Sequence, residues 1–327
     1  MLLHITHETH YRYRPAVETA QHVAYMQPRN HPAQQLLEHT LVVNPQPALL
    51  RSINDVYGNT RCFFSLQTPH DVLSVISHSL VATQPSPRAQ SMVGWEKVRE
   101  RFRYRAGATF DSACEFVFAS PFVPRLLEFG AYARPSFTPG SSLLNASIDL
   151  MQRIFDDFTY ESQSTQINTP ALEALAQRKG VCQDFAHIMI ACLRTLGLPA
   201  RYVSGYMLTE PPPGEVKLVG SDASHAWVSV YIPDLPEGAR WVDFDPTNNH
   251  WGWHAPGQDY VTVAVGRDFG DVSPLRGVIH GGASHTLRVG VTVQSMGNNT
   301  LPPIQPMPAF GSQSQTQTQS QSQSQTF

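Results

Sequence analysis

Apolar and polar residues alternate along much of the first 85 residues, as they do in strands with one buried face. Turns rich in Pro, Asn and Gly separate the alternating segments. These segments are LLHITHETHYRYR, LLEHTLVVNP, VYGNTRCFFSLQ and VLSVISHSLVAT. Short strands at this spacing predict a small β-sandwich over residues 1–85. The segment TQPSPRAQS then predicts a linker.

The hydrophobic period becomes helical from about Trp95. Predicted helices lie in GWEKVRERFRYR, PRLLEFGAYA and SLLNASIDLMQRIFDDFTY. TPALEALAQRKG predicts a short helix with Thr169 as its N-cap and Gly180 as its end. A further helix begins at Cys182, and alternating strands run from Ala200 to about Met296. The predicted fold class is therefore α+β, with a helical region and core over residues 86–297.

The end of the chain has a different composition. After Pro302 it becomes GSQSQTQTQSQSQSQTF, a polar repeat with nothing to bury. We expect a disordered tail over residues 298–327.

Composition limits the classes of function. The 327 residues carry a formal charge of −3, which gives no electrostatic reason to expect nucleic acid or an anionic membrane as a partner. The N-terminus lacks the apolar run of a signal peptide, and no stretch approaches the length of a membrane span. Four cysteines do not resemble a disulfide framework. The expectation is a reduced, cytoplasmic protein.

One cysteine lies where a helix begins. The segment GVCQDFAHIMIACLRTLGL places Cys182 at the helix start and Cys192 among apolar neighbours. Backbone N–H groups and the positive end of the helix dipole favour a thiolate at such a position, and the same N–H groups can hold an oxyanion. Asp184 opposes the thiolate unless its carboxylate points away into a cap. The structural alternative is a small buried cysteine, as expected for Cys192.

A histidine and an aspartate lie on the next strands. SHAWVSVYI puts His225 on the strand face opposite the aliphatic residues, and WVDFDPTNN puts Asp243 and Asp245 on one face. A hairpin with a five-residue loop pairs His225 with Asp245 and Ile232 with Gly238. Asp245 would then orient the imidazole and stabilise its cation. Asp243 shares the face and is the rival.

These motifs, together with VAVGRDFGDVSPLRGVIHGG, closely resemble the bacterial transglutaminase-like family. The strand-rich start resembles the N-terminal β-domain that accompanies that family's core, so the likeness extends to about residue 297. The resemblance implies a papain-like core in which a cysteine-bearing helix packs on an antiparallel sheet. It also implies Cys182 as nucleophile, His225 as base and Asp245 as orienting acid.

The expected reaction is attack on an amide carbonyl through Cys182 and transfer of the acyl group from a thioester. Hydrolysis of a peptide or isopeptide bond by a protease or amidase is the preferred interpretation. An amine-accepting transglutaminase and a non-catalytic binding module are the alternatives. The substrate is expected to be a peptide, isopeptide or other amide, and the oligomeric state stays open.

Other residues of these motifs have weaker functional interpretations. Gln183 can donate its amide to an oxyanion or cap the helix locally, and Tyr206 and Trp227 can line a substrate cleft or pack in the core. No cofactor is predicted. No metal site is predicted either, because strand alternation places His7 on the face opposite His4 and His10.

Overall fold

The computed structural model describes residues 1–107, 109–161, 169–209, 224–282 and 284–297. The tail predicted over residues 298–327 lies outside these ranges.

Seven antiparallel strands form the first sheet. They are β1 (Leu2–Ala24), β2 (Gln34–Asn44), β3 (Leu49–Asn54), β4 (Thr60–Leu66), β5 (His70–Thr83), β13 (Leu275–Gly281) and β14 (Ser284–Ser295). The 23-residue β1 pairs with β5 and β14 along its first part and with β4 and β13 along its second. The predicted β-sandwich thus takes the form of one curled sheet organised around β1.

Two C-terminal strands belong to the first sheet. Residues 275–295 fall within the range 86–297, which the sequence assigned to the helical region and core, yet both strands are hydrogen-bonded to β1. Alternation identifies a strand and its buried face but not its partner, so the sequence pattern could not reveal this pairing.

The second unit combines helices with a five-stranded sheet. Its helices are α1 (Trp95–Arg101), α2 (Leu127–Ala133), α3 (Leu143–Asp157), α4 (Ala171–Gln177), α5 (Cys182–Thr195) and α6 (Phe269–Val272), with a 3₁₀ helix at Ser112–Val117. Its strands are β8 (Ala200–Met207), β9 (Ser224–Tyr231), β10 (Trp241–Asp245), β11 (His250–Trp253) and β12 (Tyr260–Gly266). They are antiparallel in the order β11-β10-β9-β8-β12. A short parallel pair, β6 (Thr159–Tyr160) and β7 (Lys179–Gly180), precedes α5.

Helix α5 is buried on all sides and packs on β8 and β9. Every residue from Asp184 to Arg194 is buried, including the polar Asp184, His187 and Arg194. The predicted α+β arrangement, with a cysteine-bearing helix on an antiparallel sheet, is confirmed. The buried helix gives Cys182 a fixed backbone position.

Two side-chain amides join the first sheet to β12. The Gln34 amide donates to the Thr262 carbonyl at 2.8 Å and accepts from the Thr262 N–H at 2.7 Å. Asn59 makes the same pair of bonds with Val265, at 2.7 and 2.8 Å. Each amide replaces a strand partner for backbone groups that would otherwise be unsatisfied. These bonds fix the position of β12 relative to the first sheet.

Across the described ranges, no helix combines the length and the apolar character that a membrane span requires.

Candidate active site

Cys182 is the first residue of α5, as the sequence predicts, and its side chain is partly exposed. The Asp184 carboxylate turns back and accepts a hydrogen bond from the Val181 N–H at 2.8 Å. Asp184 therefore points into a cap, which was the condition for it not to oppose a thiolate. A Cβ at residue 180 would lie 2.6 Å from Asp184 Oδ2, so Gly180 is required for this close approach.

His225 and Asp245 form a buried hydrogen bond. Nε2 of His225 lies 2.8 Å from Oδ2 of Asp245 and donates to it. The strand register differs from the predicted one, because β10 pairs Asp243 with Ser229 and Phe244 with Val228. Asp245 is thus level with Trp227 and reaches His225 diagonally. The predicted direct pairing is wrong by two residues, although the two side chains still meet.

The imidazole also interacts with the thiol. Burial alone would lower the pKa of His225, but the charge and hydrogen bond of Asp245 raise it, and an interaction with Cys182 adds to the increase. The pKa of His225 is consequently above its usual range. Because Nε2 is engaged by Asp245, Nδ1 is the ring nitrogen available to the sulfur. The site therefore favours an imidazolium next to Cys182.

Asp245 is completely buried and fully hydrogen-bonded. Its Oδ2 accepts from Tyr260 Oη at 2.7 Å and from Asn248 Nδ2 at 2.7 Å, besides His225. Its Oδ1 accepts from the Thr247 N–H at 2.9 Å. Burial would raise the pKa of Asp245, but the charge of His225 and these donors hold it below its usual range. The carboxylate is therefore an anion that faces the imidazolium.

The sequence did not single out Tyr260 and Asn248. Asn248 lies in the quoted segment WVDFDPTNN, but it is one of several polar turn residues. Tyr260 begins β12, which is separated from β10 by two strands, β9 and β8. Only the folded chain brings its hydroxyl to Asp245.

Tyr206 and Trp227 do not line a cleft, so these two candidates are corrected. Tyr206 is buried, and its hydroxyl is hydrogen-bonded to Nδ1 of His7 in β1 at 2.9 Å. Trp227 is fully buried and donates from Nε1 to Asp243 at 2.9 Å. Both aromatic rings therefore serve packing, the interpretation that the sequence left open.

The hydrogen bond from Trp227 gives Asp243 a structural role, apart from His225. Its carboxylate is buried and faces the indole rather than His225. Burial, in turn, raises the pKa of Asp243. Gln183, the remaining candidate, is the second residue of α5 and is partly exposed beside Cys182.

Metal-binding clusters are absent from the described residues, where no three His, Cys, Asp or Glu side chains are grouped to hold an ion. All four cysteines are free thiols. The pKa of each of Cys62, Cys114 and Cys192 is raised by burial, with nearby acids contributing at Cys114.

Comparison with known proteins gives two family matches. Residues 3–82 match the bacterial transglutaminase-like N-terminal region, and residues 131–246 match the transglutaminase-like superfamily. An uncharacterised protein of Mycobacterium tuberculosis is 41% identical over 283 residues, which are 84% of this chain and 87% of that protein. A protein-glutamine gamma-glutamyltransferase of Pseudomonas aeruginosa is 33% identical over 106 residues, which are 30% of this chain and 15% of that protein.

One solved structure shares the fold over nearly the whole chain. It is a candidate cysteine protease from Cytophaga hutchinsonii, with a TM-score of 0.67 and 20% identity, and the match covers 94% of each chain.

Proposed function

Because the chain belongs to the bacterial transglutaminase-like family, we propose that it is a cysteine-dependent acyl-transfer enzyme acting on amide bonds. Cys182 is the nucleophile, His225 the acid and base, and Asp245 the group that orients His225. The observation that supports this most strongly is the buried 2.8 Å bond between His225 and Asp245, beside a cysteine that starts a helix.

The first half of the reaction forms a thioester. The Cys182 thiolate attacks the amide carbonyl, a C–S bond forms, and the carbonyl oxygen takes the displaced electron pair. Backbone N–H groups at the start of α5 stabilise that oxyanion, and Gln183 is a candidate additional donor. When the C–N bond breaks, His225 gives its proton to the leaving amine and becomes neutral.

The second half returns the site to its starting state. Neutral His225 removes a proton from the incoming water or amine while the new bond to the acyl carbon forms. The C–S bond then breaks, and its electron pair leaves as the thiolate beside the imidazolium. Asp245 keeps its charge throughout, since the four donors around its carboxylate stabilise the anion.

Hydrolysis of a peptide or isopeptide bond is the preferred outcome. The transglutaminase outcome is the second candidate, and it is favoured by the likeness to the protein-glutamine gamma-glutamyltransferase of Pseudomonas aeruginosa. The two differ only in whether water or an amine reaches the thioester. The substrate class is therefore a peptide-like amide in both cases.

Product analysis tests this proposal. The protein is incubated with a peptide library containing glutamine and isopeptide bonds, with and without a labelled primary amine, and products are identified by mass spectrometry. We expect cleaved or deamidated peptides that carry little label, and no product from Cys182→Ser. Labelled peptides as the main product would instead support the transglutaminase reaction. Equal products from the wild-type protein and Cys182→Ser would refute both.

A further inference from the structure

Asp245 is held by two side chains that no sequence motif indicated, and they approach it from different parts of the fold. We propose that Tyr260 and Asn248 are positioning residues of the reaction, which keep Asp245 ionised and aligned with His225 by donating hydrogen bonds to its Oδ2. This inference rests on the proposed function, because it concerns the same His225–Asp245 pair.

Tyr260 approaches from the interior. It starts β12, and its buried ring contacts the rings of Trp227, with centroids 5.5 Å apart, and of His225, with centroids 5.9 Å apart. Its hydroxyl donates to Asp245 Oδ2 at 2.7 Å. A single side chain therefore packs beside the imidazole and also fixes the carboxylate that orients it.

Asn248 approaches from the turn that follows β10. Its Nδ2 lies 2.7 Å from Asp245 Oδ2, 3.4 Å from His225 Nε2 and 3.5 Å from Met207 Sδ. The residue is partly exposed, unlike Tyr260. Asn248 thus covers the carboxylate on the side that is open to solvent.

The donors around Asp245 determine its protonation state. Oδ2 faces three donors, from His225, Tyr260 and Asn248, and Oδ1 faces the Thr247 N–H. A carboxylate oxygen offers about two lone-pair sites. A proton on Oδ2 would therefore point at a group that is already donating. The three donors on Oδ2 thus favour the ionised carboxylate.

Loss of a donor should act through Asp245. Without the Tyr260 hydroxyl, the buried anion loses one stabilising bond and takes up a proton at higher pH. His225 then loses its orienting acceptor, and Cys182 loses the cation that favours its thiolate. The acidic limb is the low-pH side of the pH–rate profile of Cys182, where its reactivity falls. The free energy of one hydrogen bond to a charged group corresponds to a shift of about one to two pH units in this limb.

The test is a double-mutant cycle on the rate at which iodoacetamide alkylates Cys182 between pH 4 and 8. Tyr260→Phe should move the acidic limb upward by about one unit, so alkylation should slow most at the acidic end of the range, by up to about tenfold near pH 4. Asn248→Leu, at a partly exposed position, provides a second variant of similar volume and should slow it about threefold. In an Asp245→Ala background, neither substitution should have a further effect.

Tyr206→Phe is the matched control. It removes a Tyr–His hydrogen bond that is equally buried and does not touch Asp245, so the limb should stay in place. The inference is overturned if Tyr260→Phe and Asn248→Leu leave the rate unchanged, or slow it equally in the Asp245→Ala background. If Asp245→Ala itself leaves alkylation unchanged, the proposed function fails as well. If Asp245→Ala slows alkylation and the other two variants do not, only this inference fails.

Discussion

Oδ2 of Asp245, the last residue of β10, lies 2.8 Å from Nε2 of His225, although the two residues are not opposite each other in the sheet. The carboxylate extends past the end of its strand, and Thr247 and Tyr260 hold it there. The turn after β10 is therefore part of the site. Residues in that turn should influence the reaction without touching a substrate.

Cys182 should be the most reactive thiol of the protein. It is partly exposed at the start of α5 beside His225, whereas Cys192 is fully buried and burial raises its pKa. We expect iodoacetamide to label Cys182 at least about tenfold faster than Cys192 at pH 6 to 7. Peptide mapping by mass spectrometry measures both rates in one sample. Equal and slow labelling would instead favour a non-catalytic binding module.

Asp245→Asn should impair the reaction without unfolding the protein. The amide has nearly the volume of the carboxylate but lacks the charge that orients and stabilises the imidazolium. We expect thioester formation from an activated ester to slow about 10²-fold to 10⁴-fold. Stopped-flow absorbance gives the rate, and circular dichroism checks the fold.

The matched control for this change is Asp243→Asn, two residues earlier on the same strand face. Asp243 contacts Trp227, and that hydrogen bond can persist with an amide oxygen as acceptor. This variant should react at a rate within a few-fold of the wild-type protein. A larger loss at Asp243 than at Asp245 would contradict the assignment.

The imidazole of His225 should titrate above its ordinary pKa of about 6.5. Asp245→Asn should lower the pKa of His225 strongly, because the opposing effect of burial then dominates, and Cys182→Ala should lower it less. Titration followed by nuclear magnetic resonance of labelled histidine measures each value. A wild-type pKa at or below 6.5 would contradict the ion pair.

The same shift predicts how this pair affects stability. Because folding raises the pKa of His225, the contribution of the His225–Asp245 pair to the free energy of unfolding is fully present below about pH 6.5. That contribution declines as the pH rises through the pKa of His225 in the folded state.

Buried neutral histidines should make the fold acid-sensitive. Burial lowers the pKa of His7, His22 and His31 to about 4, and that of His187 to about 3. The unfolded chain binds these protons first, so the free energy of unfolding should fall as the pH drops from about 6.5 to 4. Urea unfolding at pH 7.5 and 5 measures the change.

His22 offers the sharpest variant for this effect. Within the described part of the chain, neither of its ring nitrogens has a hydrogen-bond partner, and the ring stacks on Phe64 at 5.1 Å. His22→Phe should keep the stacking on Phe64. It should also reduce the number of protons taken up on unfolding by close to one, which weakens the pH dependence of the free energy of unfolding. An unchanged pH dependence would show that His22 does not titrate between the folded and unfolded states.

Local patterns predicted much of the site. The sequence placed the start of α5 at Cys182, and strand alternation placed His225 and Asp245 on the correct faces. Alternation fixes the face but not the register, so a shift by two residues left the pattern intact while it changed the residues that pair. The predicted five-residue loop supplied the wrong register because several hairpin lengths are compatible with the same faces.

Long-range contacts could not be predicted in this way. Tyr206 alternates like any strand residue, and only the packing of β1 against β8 places His7 at its hydroxyl. Tyr260 reaches Asp245 from a strand that is not its neighbour in the sheet. The short helix α4 also ends earlier than expected, because Arg178 takes the left-handed conformation at φ 56° in place of the predicted stop at Gly180.

The most direct test of the central claim is capture of the acyl-enzyme. The protein is mixed with an activated peptide ester at pH 6, quenched in acid within seconds, and analysed by intact and peptide-level mass spectrometry. We predict one acyl group, bound to the sulfur of Cys182, and strongly reduced capture in His225→Gln. Acyl groups on another residue, or equal capture in Cys182→Ala, would contradict the account.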